Sequence, residues 1–174
     1  HIKRAKEKLN ITDLNIEFHD INEDWGDSKL KLLLEQLSKV PRSRKIIGIF
    51  DRDVKKIIDD IEKNDQPFKD YGNNVFAFCI PKPKVRNKYK NISIEFYYTD
   101  KELKTKKNNK CLYFDNEVDA LYNKSTNTNE LRKLESDSIR LCEENTKKIY
   151  DENIGGLDWI HSKAQFATLV ETDV

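Results

Sequence analysis

The stretch "KIIGIFDRDVKKIIDDI", Lys45 to Ile61, decides the fold class. The apolar run "KIIGIF" is short, continuous and rich in β-branched residues, the pattern of a strand buried on both faces. It stops at Asp51 and Asp53. Directly afterwards Val54, Ile57, Ile58 and Ile61 recur at helical spacing. A strand that hands over to a helix through an acid-rich turn is the repeating unit of α/β proteins.

The flanks continue the alternation. "LNIEFHDI", Leu14 to Ile21, reads as a strand. A helix follows, with Asp27 or Ser28 as N-cap, a stripe of Leu30, Leu33, Leu34, Leu37 and Val40, and Pro41 as its stop. "NVFAFCIP", Asn74 to Pro81, reads as a further buried strand after the break Asn64-Asp65-Gln66-Pro67. The expected fold is therefore α/β, with a largely parallel central sheet and helices on both faces. A single domain is expected over 1–174, with its core at about 11–115 and a helical part at about 128–174. In that second half "ISIEFYY" and "KCLYF" are short apolar runs and "NKSTNTN" is a polar linker. Leu131, Leu134, Leu141 and Cys142 fit a helix ending before Gly155-Gly156, and Ser162 and Gln165 have the spacing of a capping box for the last helix.

Composition narrows the function classes. The 174 residues carry a formal net charge of +1, so a nucleic-acid surface has to be local rather than global. The three cysteines are scattered and form no CxxC pair, which argues against structural zinc and for a reducing, cytoplasmic setting. No apolar run approaches the ~18 residues of a membrane span, so no membrane partner is expected. The five glycines form neither GxGxxG nor GxxxxGK[ST], which excludes a recognisable nucleotide fingerprint. The opening "HIKRAKEKLN" reads as the middle of a helix and the chain has no methionine, so a fragment is expected, its first strand lying before residue 1.

Asp51 and Asp53 are the central candidates. Residues i and i+2 of a strand project to one side, and two carboxylates roughly 6–7 Å apart repel unless a cation intervenes. The C-terminal rim of an open α/β sheet is where ligands bind. Mg²⁺ (or Mn²⁺) takes hard oxygen ligands and typically uses one or two carboxylates. Asp53 equally fits a helix N-cap, and Asp51 a turn.

The segments "IIGIFDRD", "GNNVFAFCIPKPKVR", "ISIEFYYTDKELKT" and "GLDWIHSKAQFATLV" occur in this order. Together they resemble the C-terminal Toprim-like domain of bacterial ATPase-linked nucleases related to the overcoming-lysogenization-defect family. The resemblance implies a metal-dependent nuclease in phage defence, with Asp51 and Asp53 as the metal-binding DxD pair. It also implies a glutamate at the end of an earlier strand, which is not found; Glu17 is a poor substitute. Glu95 becomes a candidate for a second metal, against a salt-bridged or capping role. Lys163, in the first turn of the last helix, opposes the helix dipole and becomes a candidate for phosphate charge, against a solvated lysine. An ATPase domain in the same protein or complex, DNA ahead of RNA as substrate, and a homo-oligomer complete the expected partners.

The basic loop contributes Lys82, Lys84, Arg86, Lys88 and Lys90, with Tyr89 among them. Such a mix suits phosphate contact and base stacking, and equally a solvated face. Arg86 stands out because a guanidinium fork grips phosphate at two points. Two other readings stay open. "IIGIFDRDV" also fits a haloacid-dehalogenase-like phosphohydrolase with Asp51 as nucleophile, although no downstream GDxxxD follows. The third is a non-catalytic nucleic-acid-binding or assembly module. Trp25, Trp159 and Cys142 are expected to pack, and His161 to serve a surface or cap.

Overall fold

A computed structural model of the chain describes residues 2–12, 15–18, 26–89, 91–125, 128–142, 148–150 and 159–172. They divide into two compact units, one of residues 19–97 and one of residues 1–18 with 98–174.

The 19–97 unit is α/β. Its elements are α2 (Asp27–Leu37), β1 (Ile46–Phe50), α3 (Lys55–Ile61), β2 (Lys69–Gly72) and β3 (Val75–Cys79), preceded in the chain by α1 (Ile2–Lys8) of the other unit. The sheet runs in the order β1-β3-β2. β1 and β3 are parallel, with Ile46 opposite Val75 and Phe50 opposite Cys79, whereas β2 joins β3 antiparallel. The sheet described is thus mixed rather than largely parallel. The antiparallel ladder follows from "YGNNV": Asn73 and Asn74 take φ of 51° and 64°, a two-residue hairpin turn whose twist matches the strands. Gly72, at φ +87°, absorbs the register shift beside it. The Nδ2 groups of both asparagines donate to the loop after α2, to the carbonyls of Ser38 and Arg42, each at 2.6 Å.

Helix α2 forms on its leucine stripe, but its N-cap is Gly26, and Asp27 and Ser28 lie inside the first turn. It ends at Leu37, short of Val40. The buried cluster joins Leu34 of α2 and Ile57 and Ile61 of α3 to Phe50, Val75, Ala77 and Cys79. Paired strand residues share a face, so both helices cover the same side of the sheet. The other side carries Ile47, 55% exposed, and Ile49, 37% exposed, so β1 is not buried on both faces as its apolar run predicts. A salt-bridge network closes the covered side. Asp60 of α3 pairs with Lys31 of α2 at 2.7 Å and with Lys69 of β2 at 2.8 Å.

Gly48 is where α2 meets the sheet. A Cβ there would stand 2.4 Å from Leu34 Cδ1. Leu34 is buried and cannot swing into solvent. Gly48→Ala is expected to destabilise by about 1–3 kcal/mol, and Gly48→Ala/Leu34→Ala by less than the sum of the single changes, measured by urea unfolding.

The second unit holds α1, α4 (Asp100–Leu103), the antiparallel hairpin β4 (Val118–Asn123) and β5 (Thr128–Lys133), α5 (Ser136–Cys142) and α6 (Lys163–Thr172). Leu131 is therefore on a strand and Leu134 in the connection to α5, not on one helix with Leu141. Thr99 and Glu102 form a capping box for α4. The Cys111–Phe114 segment bridges Ile160 in parallel and Ile149 antiparallel, and Leu112, Phe114, Ile149, Ile160 and Phe166 are buried. Trp159 packs edge-to-face on Tyr113 at 4.9 Å, a packing role as expected. Of the expected strand 14–21, residues 15–18 are described and lie outside any strand. The rest of it, with His1, Trp25, Lys90, Gly155-Gly156 and the Cys142 side chain, lies outside the described residues.

His161 is buried against the start of α6, its Nδ1 3.4 Å from Gln165 Oε1. Burial lowers its pKa; the Gln165 contact raises it, the Lys110 charge lowers it further, and the Lys107 backbone works against that. A histidine held neutral in the fold but free to charge when unfolded makes stability fall as pH drops through its unfolded value near 6.5. The wild type is expected to lose more melting temperature between pH 7 and pH 5 than His161→Gln does.

Candidate functional site

The DxD turn sits where β1 and β3 end side by side. Ile80 N–H donates to the Phe50 carbonyl at 2.9 Å, extending the parallel ladder by one residue. Arg52 and Ile92 then exchange both backbone hydrogen bonds, at 2.6 and 2.8 Å. The chain therefore stays extended past Phe50, as the acid-pair geometry requires. Arg52 turns toward the helix-covered side, its guanidinium gripping the Glu62 carboxylate with both terminal nitrogens and donating Nε–H to the Ile80 carbonyl at 3.0 Å. The Glu62 hydrogen bond raises the Arg52 pKa, outweighing burial. By strand alternation Asp51 is turned to the other side, whereas Asp53, where the chain hands over to α3, comes within charge range of Asp27 on the helix-covered side.

Capping does not account for Asp53. The N-cap of α3 is Val54, in extended conformation and without a side-chain cap. Asp53 is exposed, and among the described residues it makes no hydrogen bond or ion pair. Asp51 is half-buried. A further acid arrives from α2. That helix runs antiparallel to β1 and β3, so its first turn reaches their C-terminal ends. Burial and the neighbouring Asp53 charge raise the Asp27 carboxyl above its ordinary range. The sequence offers Asp27 only as a cap; its approach to Asp53 depends on how α2 packs across Gly48. Cys79 sits beneath, its thiol pushed up to about 11 by burial against the opposing Arg52 charge, so it is no nucleophile at neutral pH.

The basic loop leaves the end of β3 at the same edge. Lys82, Lys84 and Lys88 are exposed. The Tyr97 hydroxyl donates to the Pro81 carbonyl at 2.5 Å and pins the loop's start. Arg86 is different: it is 7% exposed, with its guanidinium 5.4 Å from the Tyr89 ring and 5.9 Å from Phe96. It packs into the interior instead of standing outermost on the loop. Glu95 lies in the Ile94–Tyr97 3₁₀ turn, not on a strand, and is 5% exposed with the Ser93 hydroxyl donating to it. The Ile92 bridge sets this turn beside the acid pair.

Lys163 belongs to the other unit, where it opens α6. The capping box is there as expected: Gln165 N–H donates to Ser162 Oγ at 3.2 Å, and Ser162 N–H to Gln165 Oε1 at 3.0 Å. Within the 19–97 unit the fold brings Asp27 within charge range of Asp53, at the rim where the basic loop with its exposed lysines begins.

Among the described residues no group of three or more His, Cys, Asp or Glu side chains gathers as a metal cluster, and no helix is long and apolar enough to cross a membrane. No known family, no curated protein and no solved structure matches this chain.

Proposed function

We propose that the chain carries a Toprim-like, metal-dependent phosphodiester-cleaving site at the C-terminal rim of β1 and β3. The observation that carries this reading is Asp53, an exposed carboxylate at a sheet rim that does not cap α3 and, among the described residues, pairs with no cation. The donor set suits Mg²⁺ or Mn²⁺: Asp51 and Asp53 supply hard oxygens, and of the two causes that raise the Asp27 carboxyl, burial and then the Asp53 charge, the second is one a divalent ion relieves. When bound, such an ion polarises a phosphoryl oxygen and lowers the pKa of an attacking water.

The chain's own groups divide the remaining work. Arg52, anchored on Glu62, fixes the strand extension that presents both acids. Lys82, Lys84 and Lys88 offer exposed ammonium groups to a nucleic-acid backbone. Glu95, buried beside Ser93, suits a supporting role for the rim better than direct contact with solvent-borne substrate. Lys163 remains a proposed phosphate-charge partner. Phage defence beside an ATPase, with DNA as the substrate, belongs to the same proposal and rests on the sequence resemblance alone.

The test combines Mn²⁺ calorimetry with cleavage of plasmid DNA and of single-stranded RNA. Metal binding and nicking that both vanish in Asp53→Asn support the reading. A trappable phosphoryl-aspartate on Asp51 replaces it with phosphohydrolase chemistry. Nucleic-acid binding without metal binding replaces it with a binding module.

A further inference from the structure

Among the described residues, β1 is the terminal strand of its sheet. Ile46 N–H donates to the Asn74 carbonyl at 2.8 Å, and the Phe50 carbonyl accepts from Ile80 at 2.9 Å, so the even-numbered residues turn their backbone groups toward β3. Those of Ile47, Ile49 and Asp51 then point away, along the outer edge. No bridge to another described residue forms along Ile47–Ile49. The side chains on this edge are also open. Ile47 is 55% and Ile49 37% exposed. A terminal strand that is apolar, proline-free and without an inward charge invites edge pairing.

We propose that β1 pairs antiparallel with β1 of a second copy of this chain about a two-fold axis at Gly48. The sequence Lys45-Ile-Ile-Gly-Ile-Phe-Asp51 is self-complementary in this register. Ile47 faces Ile49 of the second copy, Ile49 faces its Ile47, and Lys45 faces its Asp51. These odd-numbered residues are the ones whose backbone groups point outward, so they form the hydrogen-bonded pairs that an antiparallel ladder needs. Paired residues share a face, so the four isoleucines join into one apolar strip, and Lys45 and Asp51 meet at each end with opposite charge. Lys45 already lies on that face, its Nζ 6.0 Å from the Phe76 ring.

The pairing joins two three-stranded sheets into one of six strands and brings an ammonium from each copy to the other's acid rim. Two short edge strands bury less than the ~1,200–2,000 Å² of a stable interface, so the dimer is weak and concentration-dependent. This inference does not rest on the metal reading.

Sedimentation equilibrium of the full chain over a concentration series, with amide exchange read at Ile47 and Ile49, tests it. A monomer–dimer equilibrium is expected, with those amides protected at high concentration. Ile47→Lys is expected to give a monomer with unchanged melting temperature, since the position is exposed. Lys45→Asp is expected to weaken association at least tenfold, and Lys45→Asp with Asp51→Lys to restore it. A chain monomeric at every concentration overturns the proposal, as does a dimer that survives Ile47→Lys. Protection of Ile47 and Ile49 that is independent of concentration also overturns it, because another part of the chain would then cover the edge.

Discussion

Asp51→Asn and Asp53→Asn are each expected to reduce metal-dependent cleavage by about 10²–10³-fold and to abolish measurable Mn²⁺ binding, and Asp53→Asn to do so without lowering the melting temperature. The two effects separate because Asp53 is exposed and, among the described residues, makes no hydrogen bond or ion pair that the fold would lose. Asp53 repels Asp27, whose carboxyl is raised by burial and by that charge. Removing a negative charge relieves the fold while removing an oxygen ligand. A carboxyl with a folded pKa above its unfolded value binds its proton more tightly in the native state. Stability therefore declines as pH rises through the window from the unfolded to the folded pKa, and the cost persists above it. Asp27→Asn is accordingly expected to raise the melting temperature at pH 7 by about 1–3 °C and to flatten its pH dependence. Mn²⁺ is expected to raise the melting temperature of the wild type and not that of Asp53→Asn. Thermal scans at several pH values, with and without Mn²⁺, read all three effects. A wild type indifferent to Mn²⁺ whose cleavage survives Asp53→Asn would sink the metal site.

Arg52→Ala is expected to cost about 2–4 kcal/mol, the largest stability loss of any rim substitution. Its guanidinium spans three parts of the fold: the end of β1, the Ile80 carbonyl after β3, and Glu62 just past α3. Its side chain is only 14% exposed, so truncation leaves Glu62 without its cation and the Ile80 carbonyl without this donor. Arg52→Lys is expected to recover about half, because one ammonium cannot reproduce the two-pronged grip. Urea unfolding gives the magnitude. A loss below about 0.5 kcal/mol, the scale of an exposed surface pair, would show that the clamp is not formed in solution. Metal affinity is expected to weaken in Arg52→Ala as well, since the extension that presents Asp51 and Asp53 loses its anchor.

The residue between the two acids was not singled out by its sequence neighbourhood. "DRD" shows charge alternation, but Glu62 is ten positions away, beyond α3, and only the return of that helix across the sheet brings it to Arg52. The basic loop illustrates the converse. Five cations at alternate positions read as one surface, yet Arg86 is packed by Tyr89 and Phe96 while its exposed neighbours are not. "ISIEFYY" has the composition of a strand, but after Ile92 bridges Arg52 the chain tightens into a 3₁₀ turn. Leu131 and Leu134 have helical spacing, but β4 offers Leu131 a ladder partner at Ala120, which spacing cannot anticipate.

The sequence by itself determined the elements whose signals are local. These are β1 and β3 from their apolar runs, α2 and α3 from their stripes, the end of α2 before Pro41, and the Ser162–Gln165 cap. Each is set by neighbours within a few positions, through backbone geometry and the periodicity of one face. Only the tertiary structure decided which faces those elements share. Putting both helices on one side of the sheet, carrying Asp27 to Asp53, folding Arg86 inward and leaving the Ile47 and Ile49 side chains exposed all depend on partners distant in the chain. Burial and Coulomb energy belong to those long-range meetings, and no single stretch of sequence encodes them.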